Sequence, residues 1–60
     1  MIRVMLVDDS AVARALALRW LDVEPDIDVV AEAETGRVAL ALVARANPDV
    51  IVLDLDMPDM

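Results

Sequence analysis

Two short apolar runs in this sequence end in carboxylates, and those carboxylates are the residues best placed to do chemistry. Ile2-Arg3-Val4-Met5-Leu6-Val7 stops at Asp8-Asp9-Ser10, and Val50-Ile51-Val52-Leu53 stops at Asp54-Leu55-Asp56-Met57-Pro58. Runs of this length, rich in β-branched residues and bounded by polar or breaker residues, read as buried strands. If the strands lie parallel in one sheet, their carboxyl ends share an edge, the place where open α/β sheets hold ligands. Asp8, Asp9 and Asp54 then converge on one crevice. Three carboxylates in close quarters repel one another, and a bound divalent cation or a retained proton is what offsets the repulsion.

The elements that would position these groups follow from the pattern between them. Ser10 is a suitable N-cap for a helix from about Ala11 to Asp22. Its inner stripe is expected to be Ala13, Leu16, Ala17, Trp20 and Glu24, with Leu21 beside it and Arg14, Leu18 and Arg19 off it. Trp20 is expected in the core. Pro25-Asp26 breaks the helix, and a second strand begins at Ile27 and ends near Ala33. Glu34-Thr35-Gly36 makes the next turn, with Thr35 as the cap of a helix from about Arg37 to Ala46. Its inner stripe reads Ala39, Leu40 and Val43, leaving Val38 and Leu42 as a second apolar pair. Asn47-Pro48-Asp49 stops that helix. The third strand has no polar alternation, which predicts burial on both faces.

The β-α-β-α-β order predicts an α/β fold with a parallel sheet and right-handed crossovers, one half of a doubly wound domain. Its first strand is expected in the middle, and the outer edge of the third strand is expected to be unpaired. Such an edge invites self-association. Residues 1–60 are accordingly read as the N-terminal half of a domain that continues past Met60.

Composition excludes several kinds of function. The 60 residues are 60% hydrophobic, and a domain of this size buries only about 60% of its unfolded surface. Cysteine and histidine are absent, which removes disulfides, thiolate sites and imidazole-based zinc or general-base chemistry. Twelve acidic against five basic residues give a net charge of −7, with no basic stripe, so nucleic-acid binding is not expected. No signal peptide or apolar run of membrane-spanning length is present, which points to a cytoplasmic chain away from membranes.

Taken together, these motifs resemble the receiver domains of two-component response regulators. Val7-Asp8-Asp9-Ser10 is similar to the acidic pair after the first strand, and Leu53-Asp54-Leu55-Asp56-Met57-Pro58 to the phosphoacceptor strand end with its Met-Pro. Ala33-Glu34-Thr35-Gly36 and Asn47-Pro48-Asp49 match the family's turns at the same spacing. Arg19-Trp20-Leu21, Glu24-Pro25-Asp26-Ile27 and the acid before Met57-Pro58 most resemble the receiver of chemotaxis protein-glutamate methylesterases. The resemblance implies a flavodoxin-like (CheY-like) fold and a phosphorelay function, with Asp54 accepting phosphate from a sensor histidine kinase. It implies Mg²⁺ held by Asp8, Asp9, Asp54 and the backbone carbonyl of Asp56. It implies no enzymatic activity for this segment, since the esterase domain lies elsewhere in such proteins. Receivers also use a Ser/Thr hydroxyl and a Lys from two later strands, and this chain has no lysine.

Plainer alternatives stand beside this one. Asp8-Asp9 also suits a solvated pair at a helix start, and Asp54 a strand-end turn. Asp54-Leu55-Asp56 also resembles the Asp-x-Asp nucleophile motif of haloacid-dehalogenase-type phosphatases. That motif normally follows the first strand, carries Thr or Val where Pro58 stands, and leaves Asp8-Asp9 without a role. A third alternative is an inactive, dimerising half-domain. A dinucleotide site is excluded, because one glycine cannot build a Gly-rich loop.

Overall fold

A computed structural model describes residues 1–54. The Asp56 carbonyl, Met57, Pro58 and Asp59 lie outside the described residues. Strands β1 (Ile2–Val7), β2 (Ile27–Ala33) and β3 (Val50–Leu53) alternate with helices α1 (Ala11–Asp22) and α2 (Gly36–Ala46). The sheet is parallel throughout in the order β2-β1-β3, with β1 central as expected. The second helix opens at Gly36, one residue before the expected Arg37. In β2 the pairing steps from Val29 to Ala31, so Val30 is an extra residue that re-phases the strand. Beyond it, Ala31 and Ala33 join the face occupied by Met5 and Val7.

Local chemistry explains where each helix begins and ends. Ser10 Oγ accepts from the Ala13 N–H at 3.2 Å, and Thr35 Oγ1 from the Val38 N–H at 3.0 Å. Each satisfies one of the unpaired donors of a helix N-terminus. Asn47 closes α2 in the left-handed region (φ 49°), which asparagine tolerates better than most side chains, and Pro48 follows it. Arg3 then reaches across from β1. Its guanidinium donates to the carbonyls of Ala46 (2.6 Å) and Asn47 (3.1 Å), covering the negative end of the helix dipole. The Arg3 backbone N–H donates to Asp49 Oδ2 at 2.9 Å, which ties the lead into β3 to the start of β1.

Val4, Met5, Leu6 and Val7 are 0–3% exposed and form the centre of the molecule. Met5 and Val7 pack with Ala33 and Ala39, flanked by Ala31, Leu42 and Val43. Leu6 points to the opposite face, where α1 lies.

The helices are rotated from the expected orientation. Leu16 is 46% exposed and Trp20 74%, so Trp20 is a surface residue and not part of the core. Arg14, Leu18 and Leu21 are half-buried instead, alongside Ala13 and Ala17. In α2, Leu42 packs on the core while Leu40 is 78% exposed. Residues of β3 are 36–47% exposed, which corrects the expectation of burial on both faces. The cause is lateral placement: α1 and α2 pack over β1 and β2, and neither covers β3.

These positions lead to a contrast in stability. Met5→Ala should cost about 2–5 kcal/mol, close to the whole stability expected for a chain of this length, about 0.05–0.15 kcal/mol per residue. Trp20→Ala should change stability by no more than about 0.5 kcal/mol. Urea denaturation followed by circular dichroism measures both, and equal losses would contradict the rotation of α1.

Candidate functional site

At the carboxyl edge of the sheet, backbone hydrogen bonds continue one residue past the strands. The Asp8 N–H donates to the Ala33 carbonyl at 3.0 Å, and the Asp54 N–H to the Val7 carbonyl at 2.9 Å. Both aspartates are therefore fixed by the ladder itself. The turn from β1 into α1 places the third acid. Asp8 Oδ1 accepts from the Ser10 N–H at 2.9 Å, closing a side-chain-to-backbone turn around Asp9. The Ser10 carbonyl accepts from the Arg14 N–H at 3.0 Å and so begins the helix.

The result is a compact acidic cluster. One carboxylate oxygen from each of Asp8, Asp9 and Asp54 lies within 4.8 Å of the others, with Asp8 and Asp54 half-buried and Asp9 exposed. The structure thus brings together three of the four residues expected at the site, and the fourth, Asp56, lies outside the described residues. Every donor is a hard oxygen, the type that Mg²⁺ or Ca²⁺ takes. Oxygens on opposite sides of a Mg²⁺ ion lie roughly 4.2 Å apart, twice its bond length of about 2.1 Å. The three oxygens lie no more than 4.8 Å from one another, within a small side-chain adjustment of that separation, so the residues fit such an ion.

A cavity of about 290 Å³ lies beside the cluster between α1 and β3, lined by the polar Asp8, Ser10, Arg14 and Asp54 and by apolar residues that include Leu6, Ala17 and Val52. A larger trough of about 440 Å³ between α2 and β3 is apolar, lined by Met5, Val7, Leu40, Ile51 and Leu53 among others. It holds none of the three carboxylates, whereas Asp8 and Asp54 line the smaller cavity.

Arg14, expected off the inner stripe of α1, is half-buried and lines the smaller cavity. Its Nη1 donates to the Asp8 carbonyl at 2.6 Å, and its Nε lies 3.6 Å from Glu32 Oε1 on β2. The available signal was position: Arg14 lies four residues after the Ser10 cap, one turn into the helix and next to the sheet edge.

Fold and site together define a class: an open parallel α/β sheet that gathers oxygen donors at its carboxyl edge. A family profile described as "Response regulator receiver domain" matches residues 4–60. The chain belongs to the response regulator receiver family. A protein-glutamate methylesterase/protein-glutamine glutaminase of Nitrobacter winogradskyi is 54% identical over 59 residues, which is 98% of this chain and 14% of the relative. A protein-glutamate methylesterase/protein-glutamine glutaminase 2 of Methanospirillum hungatei is 47% identical over 60 residues, which is 100% of this chain and 17% of the relative. The response regulator domain of Thermotoga maritima CheB superposes with a TM-score of 0.92 at 40% identity, over 100% of this chain and 45% of that one. A chain in the structure of the CheA3 P1 domain in complex with CheY6 from R. sphaeroides gives a TM-score of 0.88 at 43% identity, over 98% of this chain and 46% of that one. The likeness to methylesterase receivers is borne out, and the receiver match displaces the dehalogenase-type alternative.

Like charges this close destabilise the fold that holds them. In EDTA, Asp9→Asn should raise Tm by about 1–3 °C, and the gain should shrink as salt rises toward 1 M and screens the repulsion. Thermal melts across a salt series measure this. A lower Tm for Asp9→Asn at low salt would show that Asp9 stabilises the turn instead.

Proposed function

We propose that this chain is the phosphoacceptor segment of a chemotaxis phosphorelay, with Asp54 as the acceptor. The observation that carries this is the shared cluster of Asp54 with Asp8 and Asp9, built at a sheet edge by backbone hydrogen bonds. An Asp54 carboxylate oxygen attacks phosphorus as the bond to the donor breaks, leaving an acyl phosphate on Asp54. With a phosphohistidine donor the leaving imidazole nitrogen takes up a proton. A sensor histidine kinase is the proposed donor, a choice supported by the structural neighbour that contains a CheA3 P1 domain.

Asp8 and Asp9 would hold Mg²⁺ with Asp54 and the Asp56 carbonyl. When bound, the ion offsets charge on the transferring phosphoryl group. Ser10 keeps a structural role, because its hydroxyl caps α1. The segment is proposed to be non-enzymatic and cytoplasmic. Residues 1–60 are proposed as the N-terminal half of a receiver, in line with the 45% of the Thermotoga maritima domain that they span.

Labelling by radioactive acetyl phosphate tests the acceptor. The chain should label slowly, since it has no lysine to hold the phosphoryl oxygens. The label should be hydroxylamine-sensitive and absent from Asp54→Asn. Mg²⁺ should bind at roughly millimolar strength, as expected of few protein ligands. Asp8→Ala, Asp9→Ala and Asp54→Ala should weaken it, while Asp28→Ala should not. Label persisting in Asp54→Asn, or equal Mg²⁺ binding by all variants, would overturn the assignment.

When the sixty-residue segment stands alone, a second copy of it is the proposed occupant of the outer edge of β3. Among the described residues that edge has no strand partner, and all four of its side chains are apolar and half-exposed. Pairing of two β3 edges about a two-fold axis would satisfy the backbone groups of both and extend the sheet. Sedimentation equilibrium should show association that Val52→Lys weakens. A compact, cooperatively melting monomer at high concentration would refute it.

A further inference from the structure

We propose, resting on the cation-binding reading of the acidic cluster, that Arg14 is a positioning residue that holds Asp8 in its ligating orientation. Asp8 is gripped at three atoms: its N–H by the Ala33 carbonyl (3.0 Å), its Oδ1 by the Ser10 N–H (2.9 Å), and its carbonyl by Arg14 Nη1 (2.6 Å). The first two contacts come from the strand ladder and the turn. The third comes from a helix, and it locks the peptide plane between Asp8 and Asp9, from which both carboxylates project.

The guanidinium is held in turn from the far side. Glu32 on β2 lies 3.6 Å from Arg14 Nε, and the two side chains are 42% and 20% exposed. A line of contacts therefore runs from β2 through α1 to the end of β1. Arginine suits this place because its planar fork serves two partners in fixed directions, where a lysine ammonium is a single point charge on a flexible stem. The contact goes to the Asp8 carbonyl and not to a carboxylate, so Arg14 orders the cluster without occupying a ligand atom. Outer contacts of this kind commonly change metal affinity by 10- to 100-fold.

Charge and positioning make opposite demands, which makes the role testable. A cation beside a metal site repels the metal, so removing Arg14 purely as a charge would tighten Mg²⁺ binding. Removing it as a positioner would loosen it. In the sixty-residue chain, Arg14→Gln should weaken Mg²⁺ binding roughly tenfold, read from the amide shifts of Asp8, Asp9 and Asp54. Arg14→Lys, which retains the charge and loses the fork, should also bind more weakly than the wild type. Glu32→Gln should produce a smaller loss. Without metal, hydrogen exchange at the Ser10 amide should accelerate in Arg14→Gln relative to the buried Met5 amide.

Unchanged or tighter Mg²⁺ binding, with unchanged Ser10 exchange, would overturn the role and leave Arg14 as a helix anchor. If the wild-type chain binds no Mg²⁺, the cation reading fails by itself, and Ser10 exchange alone decides whether Arg14 positions Asp8. Should Arg14→Gln fail to fold, Arg14→Lys and Glu32→Gln carry the same two readouts.

Discussion

Burial of β1 is the condition from which the remaining structure follows. Val4 to Val7 lie between two neighbouring strands and between two helices, with both backbone edges hydrogen-bonded. A strand in that position cannot carry a charged side chain without a large desolvation cost, so charge begins where cover ends, at Asp8. Arg3, at the opposite end, obeys the same rule: its peptide group joins the sheet while its guanidinium reaches the end of α2. The short apolar run therefore determines both where the sheet is stable and where a polar site can exist.

The cluster at that boundary sets electrostatics against packing. Asp8, Asp9 and Asp54 bring three negative charges within 4.8 Å in a chain whose net charge is already −7. Nothing about folding requires this arrangement, since a neutral residue could close the same turn. The cluster fits the proposed cation and phosphoryl site, since functional sites are where local stability is given up. The strain is tolerated because backbone bonds from Asp8 and Asp54 anchor the acids to the most buried strand.

The strands, the caps and the convergence of Asp8, Asp9 and Asp54 were legible in the sequence for identifiable reasons. The ends of β1 and β3 are marked by a switch from apolar residues to aspartate, and Ser10, Thr35 and Asn47 each have a chemical reason to stop or start a helix. Helix rotation was far less legible. In α1, Val12, Leu16, Leu18, Trp20 and Leu21 surround much of the helix, so no single stripe dominates. Periodicity then gives several nearly equal orientations, and the choice falls to contacts distant in sequence, such as Arg14 with the Asp8 carbonyl and Glu32. The uniform apolarity of β3 was similarly ambiguous. It signals a strand able to be covered on both faces, whereas cover depends on where the helices lie across the sheet.

Helix α1 shows how a polar contact can decide between hydrophobic alternatives. Turning Trp20 inward would gain more apolar burial than Leu18 or Leu21 provides. The same rotation would carry Arg14 away from the sheet edge and leave the Asp8 carbonyl without its 2.6 Å donor. It would also strain the Ser10 cap, whose hydroxyl must face the Ala13 N–H. A short helix begun by a cap beside its own strand has little rotational freedom, because the loop from Val7 to Ala11 is only three residues long. The turn that builds the acidic site therefore also sets the face that α1 presents to the sheet, and Leu16, Trp20 and Val23 remain as an exposed apolar strip on its outer side.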